Sequence, residues 1–171
     1  MQNVEVKYEL RDMDLCRSII RRLGASHVST VSQRDTYFRV PDGRLKKRES
    51  EGEPVEWVFY HRQNRITPRL SHFTIYSEQE ALTRFGTNPL PVLVLVDKLR
   101  ELWMKDQLRL HLDDVHGLGR FFEIEALVTP RQHVGDCHRL IGELVKQLAP
   151  ILGEPISLSY SDMIAKDQGD E

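Results

Sequence analysis

Four segments of the chain carry charged side chains at every second position inside otherwise apolar runs. They are residues 3–7, 96–100, 109–113 and 121–125. Residues i and i+2 share one face of an extended strand, so the pattern predicts strands with one ionic and one apolar face. The charges also sort by sign, since Lys98 and Arg100 are basic whereas Glu123 and Glu125 are acidic. Such sorting indicates cations that hold a polyanion, with carboxylates nearby to hold metal.

The same reading along the whole chain predicts eight strands and two longer helices. Apolar positions at helical spacing predict a helix that begins after Asp12 and another over residues 132–148. Ser77 and Glu80 form a capping box that predicts a shorter helix, and residues 159–165 suggest a last one. Alternating runs separated by turn residues predict strands over residues 3–10, 28–40, 44–49, 56–62, 69–76, 92–104, 107–114 and 120–128.

Consecutive strands joined by tight turns favour an antiparallel sheet and not an alternating parallel α/β fold. The sheet either stays open under the helices or closes into a barrel, and the interior of an eight-stranded barrel holds about one small ligand. The length of 171 residues fits one domain, which we expect over residues 1–166 with a frayed tail over residues 167–171.

Composition restricts the possible partners. The formal net charge is −2, from 24 basic and 26 acidic residues, so no bulk attraction to nucleic acid or to an anionic membrane is expected. The sequence contains neither an apolar run of membrane-spanning length nor a signal-peptide pattern, so we expect a cytoplasmic protein. Cys16 and Cys137 lie far apart, which predicts reduced, partly buried thiols.

Seven short motifs follow one another along the chain. They are Asn3-Val-Glu5-Val-Lys7, Gln33-Arg-Asp35-Thr-Tyr37-Phe38, Gly43-Arg-Leu45-Lys46-Lys-Arg48-Glu49, Lys98-Leu-Arg100, Leu112-Asp113-Asp-Val115-His-Gly117-Leu118-Gly119, Phe122-Glu123-Ile-Glu125 and Ser159-Tyr160-Ser-Asp162. In this order they resemble the CYTH superfamily of triphosphate tunnel metalloenzymes, most of all the class IV adenylyl cyclases. The resemblance implies an α+β fold in which an eight-stranded, closed antiparallel β-barrel with flanking helices holds a triphosphate and one or two divalent metals.

The resemblance also implies roles for individual residues. Several cations are needed to hold a triphosphate, and Arg binds two oxygens at once. The predicted substrate-binding residues are Lys7, Lys46, Arg48, Arg62, Lys98, Arg100 and Arg109. Mg²⁺ and Mn²⁺ prefer carboxylate oxygens, and the predicted ligands of one or the other are Glu5, Asp113, Glu123 and Glu125. The predicted catalytic residues are Glu5, Asp113 and Glu123.

Four residues depart from the family pattern or need a separate interpretation. Asn3 replaces the first acidic residue of the N-terminal E-x-E-x-K signature, which weakens one metal site. Tyr60 and Arg62 lie in phase where a tunnel lysine is expected. His111 lies in phase with the predicted site, and we expect a histidine that is hydrogen-bonded inside a polar tunnel.

Two classes of function stay open at this point. The first is a metal-dependent enzyme that cyclises ATP to cAMP and pyrophosphate, or hydrolyses nucleotide, thiamine or inorganic triphosphate. The second is a binding module that senses a polyphosphate or another phosphorylated ligand with little or no catalysis. The expected partner is ATP, thiamine triphosphate or tripolyphosphate, without nucleic acid or membrane, and the expected assembly is a monomer or homodimer.

Overall fold

The computed structural model describes residues 1–169, which form nine strands and four helices, numbered here in chain order. The helices are α1 Met13–Arg22, α2 Glu78–Phe85, α3 Val134–Leu148 and α4 Tyr160–Gly169. The strands are β1 Gln2–Leu10, β2 Ser26–Phe38, β3 Arg44–Ser50, β4 Glu56–Arg62, β5 Arg69–Ser77, β6 Val92–Lys105, β7 Leu108–Val115, β8 Gly119–Leu127 and β9 Leu152–Pro155.

Eight strands close into an antiparallel barrel, which confirms the predicted fold. The strand order is β5-β4-β3-β2-β6-β7-β8-β1, and β1 pairs with β5 to close the circle. The register places Glu5 directly opposite Glu125 on one neighbouring strand and opposite Arg69 on the other. Closure therefore removes both sheet edges and gives every one of these strands an enclosed face.

The main hydrophobic core lies outside the barrel wall, under α1 and α3. Apolar residues at alternate strand positions, such as Val4 and Val6 on β1, are fully buried against helix residues such as Ile20 and Ile141. The intervening positions point into the barrel. Because the outer faces already supply the apolar packing, the interior is available for charged side chains.

The observed strand bounds differ from the predicted ones by at most two residues at either end. Strand β9 was not predicted, because residues 152–155 do not alternate in polarity. It pairs with the end of β1, where a Cβ on Gly153 would lie 2.9 Å from the Cβ of Glu9. Helix α4 continues to Gly169, beyond the predicted end at residue 165, and residues 170–171 of the predicted tail lie outside the described residues.

The predicted helix caps are present. Asp12 accepts a hydrogen bond from the backbone N–H of Leu15, and Ser77 forms the reciprocal capping box with Glu80. None of the helices within residues 1–169 is long and apolar enough to cross a membrane. The predicted domain limits remain a prediction.

The position of the core outside the barrel gives a stability test. Leu144 on α3 is 2% exposed, so Leu144→Ala should lower the free energy of unfolding by about 2–5 kcal/mol through lost burial and a cavity. Leu15 on α1 is 45% exposed, and Leu15→Ala should change it by less than about 0.5 kcal/mol. Denaturant titration of both variants measures the difference, and equal losses would contradict this placement of the core.

Candidate active site in the barrel interior

The barrel encloses a cavity of about 480 Å³ whose wall is strongly ionic. All seven predicted substrate-binding residues line it, and they come from the five strands β1, β3, β4, β6 and β7. Six of them lie inside the barrel, whereas the side chain of Arg109 is exposed and belongs to the rim. The basic positions predicted from the alternation therefore do converge. Polar and apolar residues share the remaining wall, which includes Val31, Val58, Tyr60, Phe73, Ile75 and Leu102.

Asp35 on β2 holds three of the cations in place. Its carboxylate accepts two hydrogen bonds of 2.8 Å from Arg48 and one of 2.7 Å from the Nζ of Lys98. The Nζ of Lys46 lies 3.7 Å from the same group. Burial alone would raise the pKa of Asp35, but the charges of Arg48, Lys98 and Lys46 outweigh it and hold this pKa well below the usual range. Asp35 is therefore an ionised anchor, which was not among the predicted site residues.

Asp113 plays the corresponding role for Arg100. Its two oxygens accept hydrogen bonds of 2.8 and 2.7 Å from the Arg100 guanidinium, and the Tyr160 hydroxyl donates a third of 2.7 Å. The Asp113 side chain is fully buried and does not line the cavity. The prediction of Asp113 as a metal ligand or catalytic residue followed from its phase on β7. The structure instead places it deeper than the cavity wall, with both oxygens already in use.

Glu5 lies between two arginines. Its Oε1 accepts a hydrogen bond of 2.9 Å from Arg62 and lies 3.6 Å from the Nε of Arg69. The two guanidinium groups are almost fully buried and share this carboxylate. Among the described residues, Nε and Nη2 of both arginines have no hydrogen-bond partner. The local charge is therefore positive, and Arg69 adds a cation that the sequence reading missed.

A second group of carboxylates lies on β8. Glu123 and Glu125 share the inner face, and the Nδ1 of His111 lies 3.0 Å from Oε1 of Glu123 and 3.6 Å from Oε1 of Glu125. Lys7 lies beside them, with its Nζ 4.0 Å from Glu123 and 3.8 Å from the centre of the Tyr160 ring. The carboxylate cluster and the cationic side chains line the same cavity, and Arg100 lies 4.0 Å from Glu123.

Burial is the main cause of the pKa shifts of the titratable groups in this cluster. Burial, followed by the charge of nearby Glu123, raises the pKa of Glu125 well above its usual range. Burial and the charge of Arg100 lower the pKa of His111 to about 4, although Glu123 opposes this shift. The imidazole is therefore neutral at neutral pH and keeps one nitrogen lone pair. Burial likewise lowers the pKa of Lys7 to about 8, despite the opposing charge of Glu123.

The donor set fits a divalent metal ion. Ligand atoms of His111, Glu123 and Glu125 all lie within 4.8 Å of one another. The amide of Asn3 donates to Glu125 over 3.4 Å, and its Oδ1 is buried without a hydrogen-bond partner among the described residues. Of the four predicted metal ligands, Glu123 and Glu125 meet here, Glu5 lies opposite Glu125 on β1, and Asp113 lies elsewhere.

A CYTH domain model matches residues 1–152 of the chain. The chain belongs to the CYTH family. This membership confirms the resemblance that the seven motifs indicated, and the closed barrel with its ionic interior is the corresponding fold. The order of those motifs therefore carried the family assignment, although each motif alone is short.

Three proteins illustrate what this chain is similar to. A candidate adenylate cyclase of Methanocaldococcus jannaschii is 23% identical over 178 residues, which cover 97% of this chain and 95% of that protein. The PH1012 protein of Pyrococcus horikoshii superposes with a TM-score of 0.76 at 18% identity, covering 94% of this chain and 98% of that one. A Hippeastrum protein, described as a candidate adenylyl cyclase with a dominant triphosphatase activity, superposes with a TM-score of 0.61 at 15% identity, covering 98% and 96%.

The role of Asp35 as an anchor can be tested by stability. Asp35→Asn leaves buried cations without their counter-charge, which should lower the free energy of unfolding by roughly 3–5 kcal/mol. Asp97→Asn breaks the exposed pair with Arg34 and should change it little. Thermal denaturation of both variants provides the comparison.

Tripolyphosphate provides the second part of this test. Its oxygens supply negative charge beside Arg48 and Lys98, so saturating tripolyphosphate should raise the Tm of Asp35→Asn by more than that of the unmodified protein. If both gain equally, or if Asp35→Asn is no less stable than Asp97→Asn, Asp35 does not hold the cations.

Proposed function

We propose that this CYTH protein is a divalent-metal-dependent enzyme that cleaves a triphosphate bound inside the barrel, with hydrolysis as its main reaction. One observation carries the proposal. Seven basic side chains from five strands line one cavity, and a buried carboxylate cluster lies in the same wall. A triphosphate carries about four negative charges near neutral pH, which several converging Lys and Arg side chains match.

The basic residues bind the phosphates, and the carboxylate cluster holds the metal ion. Lys46, Arg48, Lys98 and Arg100 bind phosphate oxygens and neutralise the charge that develops during cleavage. Their anchoring by Asp35 and Asp113 holds them extended before substrate arrives. A divalent ion held by the carboxylate cluster would neutralise phosphate charge and orient the attacking oxygen.

Hydrolysis makes fewer demands on the cavity than cyclisation does. Hydrolysis requires only that the phosphates are bound. Cyclisation of ATP also requires the ribose to be held with its 3′ oxygen at the α-phosphorus. The charged groups of the cavity suit a phosphate chain, and the remaining wall mixes apolar residues such as Val31 with polar ones such as Gln33 and Ser71. The dominant triphosphatase activity ascribed to the Hippeastrum protein supports the same choice.

Product analysis tests the reaction directly. Incubation with ATP or tripolyphosphate and Mg²⁺ or Mn²⁺ should release orthophosphate, and ATP should yield ADP as the main nucleotide product. Accumulation of cAMP and pyrophosphate would replace hydrolysis with cyclisation. Tight binding of tripolyphosphate without turnover under any metal would support a binding module instead.

The carboxylate cluster predicts a large kinetic effect. Glu123→Gln removes one negative charge beside His111 and should reduce the rate by about 10²-fold or more while leaving the fold intact. Glu143→Gln, on the exposed face of α3, makes the same chemical change away from the cavity and should leave the rate unchanged. Steady-state kinetics measure both, and full activity of Glu123→Gln or full activity in EDTA would contradict a metalloenzyme.

The cationic side chains of the cavity predict a change in the affinity for tripolyphosphate, and a neighbouring outward-facing lysine provides the control. Lys46 points into the cavity, whereas Lys47 points outward to Glu78 on α2. Lys46→Met should weaken tripolyphosphate binding by about 1.5–3 kcal/mol, the scale of a charge-assisted hydrogen bond. Lys47→Met changes the protein charge equally and should have a far smaller, salt-sensitive effect. Titration calorimetry compares them, and equal effects would place the phosphates outside the barrel.

A further inference from the structure

The C-terminal helix α4 places one aromatic side chain, Tyr160, in the wall of the cavity. Tyr160 begins the helix, is 5% exposed and lines the cavity together with the preceding Ser159. Within residues 1–169, the other wall residues lie on the barrel strands, apart from Met1 and Glu53. The CYTH match ends at residue 152. Tyr160 therefore joins the site from outside both the barrel and the matched residues.

Two of the predicted substrate-binding lysines lie against the Tyr160 ring. The Nζ of Lys7 lies over the ring, 3.8 Å from its centre, and the Nζ of Lys98 lies 5.6 Å from it. The face of an aromatic ring attracts a cation within about 6 Å. Lys98 also donates a hydrogen bond to Asp35, whereas the Nζ of Lys7 lies 4.0 Å from Glu123, beyond hydrogen-bond distance. Lys7 therefore depends on the ring more than Lys98 does.

The hydroxyl group of Tyr160 supports a third cation through Asp113. It donates a hydrogen bond of 2.7 Å to Oδ2 of Asp113, the same oxygen that accepts from Nη2 of Arg100. A phenol is protonated near neutral pH, which makes it a donor to the ionised carboxylate. One side chain thus contacts Lys7 with its ring and the partner of Arg100 with its hydroxyl.

The start of α4 is itself fixed to the barrel. Arg44 on β3 donates a hydrogen bond of 2.7 Å to Asp162 in the first turn of the helix. The Tyr160 ring also packs against Phe121 on β8, with 5.1 Å between the ring centres. Because these contacts restrict the position of the ring, the ring can in turn restrict the position of Lys7.

We propose that Tyr160 is a positioning residue for the cations that bind the triphosphate. Its ring holds the ammonium group of Lys7 in the cavity wall, and its hydroxyl, acting through Asp113, keeps Arg100 extended. The inference rests on the proposed function, since it requires that Lys7 and Arg100 bind phosphate oxygens. It makes the first residue of α4 a functional part of a site that the barrel strands otherwise build.

Two substitutions separate the ring from the hydroxyl. Tyr160→Phe removes the hydroxyl alone and should weaken tripolyphosphate binding by about threefold, because Asp113 loses one of its donors. Tyr160→Leu also removes the ring and should weaken binding by about tenfold more. Titration calorimetry in EDTA measures both affinities without any contribution from a metal ion.

A double-mutant cycle then tests whether the ring acts through Lys7. The affinities of Tyr160→Phe and Tyr160→Leu are measured again in proteins that also carry Lys7→Met. The difference between the two variants should fall from about tenfold to less than about twofold, because the cation that the ring holds is absent. A ring with a structural role alone would give the same difference whether or not Lys7 is present.

A second variant covers the case in which Tyr160→Leu does not fold. Trifluorophenylalanine at position 160 keeps the shape of the phenylalanine ring but withdraws electrons from its face, so it weakens the attraction for a cation. It should bind tripolyphosphate more weakly than Tyr160→Phe does. The control is Tyr8→Leu on the outer face of β1, where Tyr8 packs against the main core. This change should lower the Tm and leave the tripolyphosphate affinity unchanged.

The outcomes distinguish this inference from the proposed function. If the unmodified protein binds tripolyphosphate and the difference between the Tyr160 variants is the same with Lys7→Met, the inference is overturned and the proposed function stands. Equal binding by Tyr160→Phe and the trifluorophenylalanine protein would also overturn it. If the unmodified protein does not bind tripolyphosphate, the proposed function fails and the inference fails with it.

Discussion

Repulsion between buried cations is the constraint on which the structure of this barrel depends. Closing the sheet directs every second residue into a confined space, and several of these residues are Lys or Arg. Two like charges 4 Å apart repel by about 4 kcal/mol at an effective dielectric constant of 20. The barrel can therefore form only with buried negative charge in its interior. Asp35, Asp113 and Glu5 supply most of that charge, and each accepts a hydrogen bond from at least one cation.

The same pairing prepares the cavity for a polyanion. A lysine or arginine held by a carboxylate on a neighbouring strand is already extended towards the interior, so binding costs little side-chain entropy. Asp35 serves three cations, and Glu5 is shared by Arg62 and Arg69. Because the cations outnumber their counter-charges at these two places, positive potential remains for phosphate oxygens. Stability without ligand and affinity for ligand thus arise from one arrangement.

Residue phase along each strand was readable from the sequence, and pairing between strands was not. Alternation correctly predicted that Lys98 and Arg100 face inward, because the side-chain period of a strand is local. The contact of Lys98 with Asp35 depends on the pairing of β2 with β6, which brings together residues 63 positions apart. How deeply a side chain is buried also depends on residues that are distant in sequence. Asp113 has the predicted phase but lies below the cavity, where the Tyr160 hydroxyl from α4 donates a hydrogen bond to it. The family motifs included both Asp35 and Tyr160, and that was the signal available for them.

Asn3 and His111 both limit the negative charge of the acidic wall. A carboxylate at position 3 would lie on the same inner face as Glu5 and next to Glu125, which is already raised in pKa by burial and by Glu123. The neutral amide of Asn3 avoids a further buried negative charge there, and its nitrogen donates a hydrogen bond to Glu125. His111 adds a donor without adding charge, because its imidazole is neutral at neutral pH. The wall therefore carries less negative charge than an all-carboxylate set would, and the repulsion between this wall and an incoming polyphosphate is correspondingly smaller.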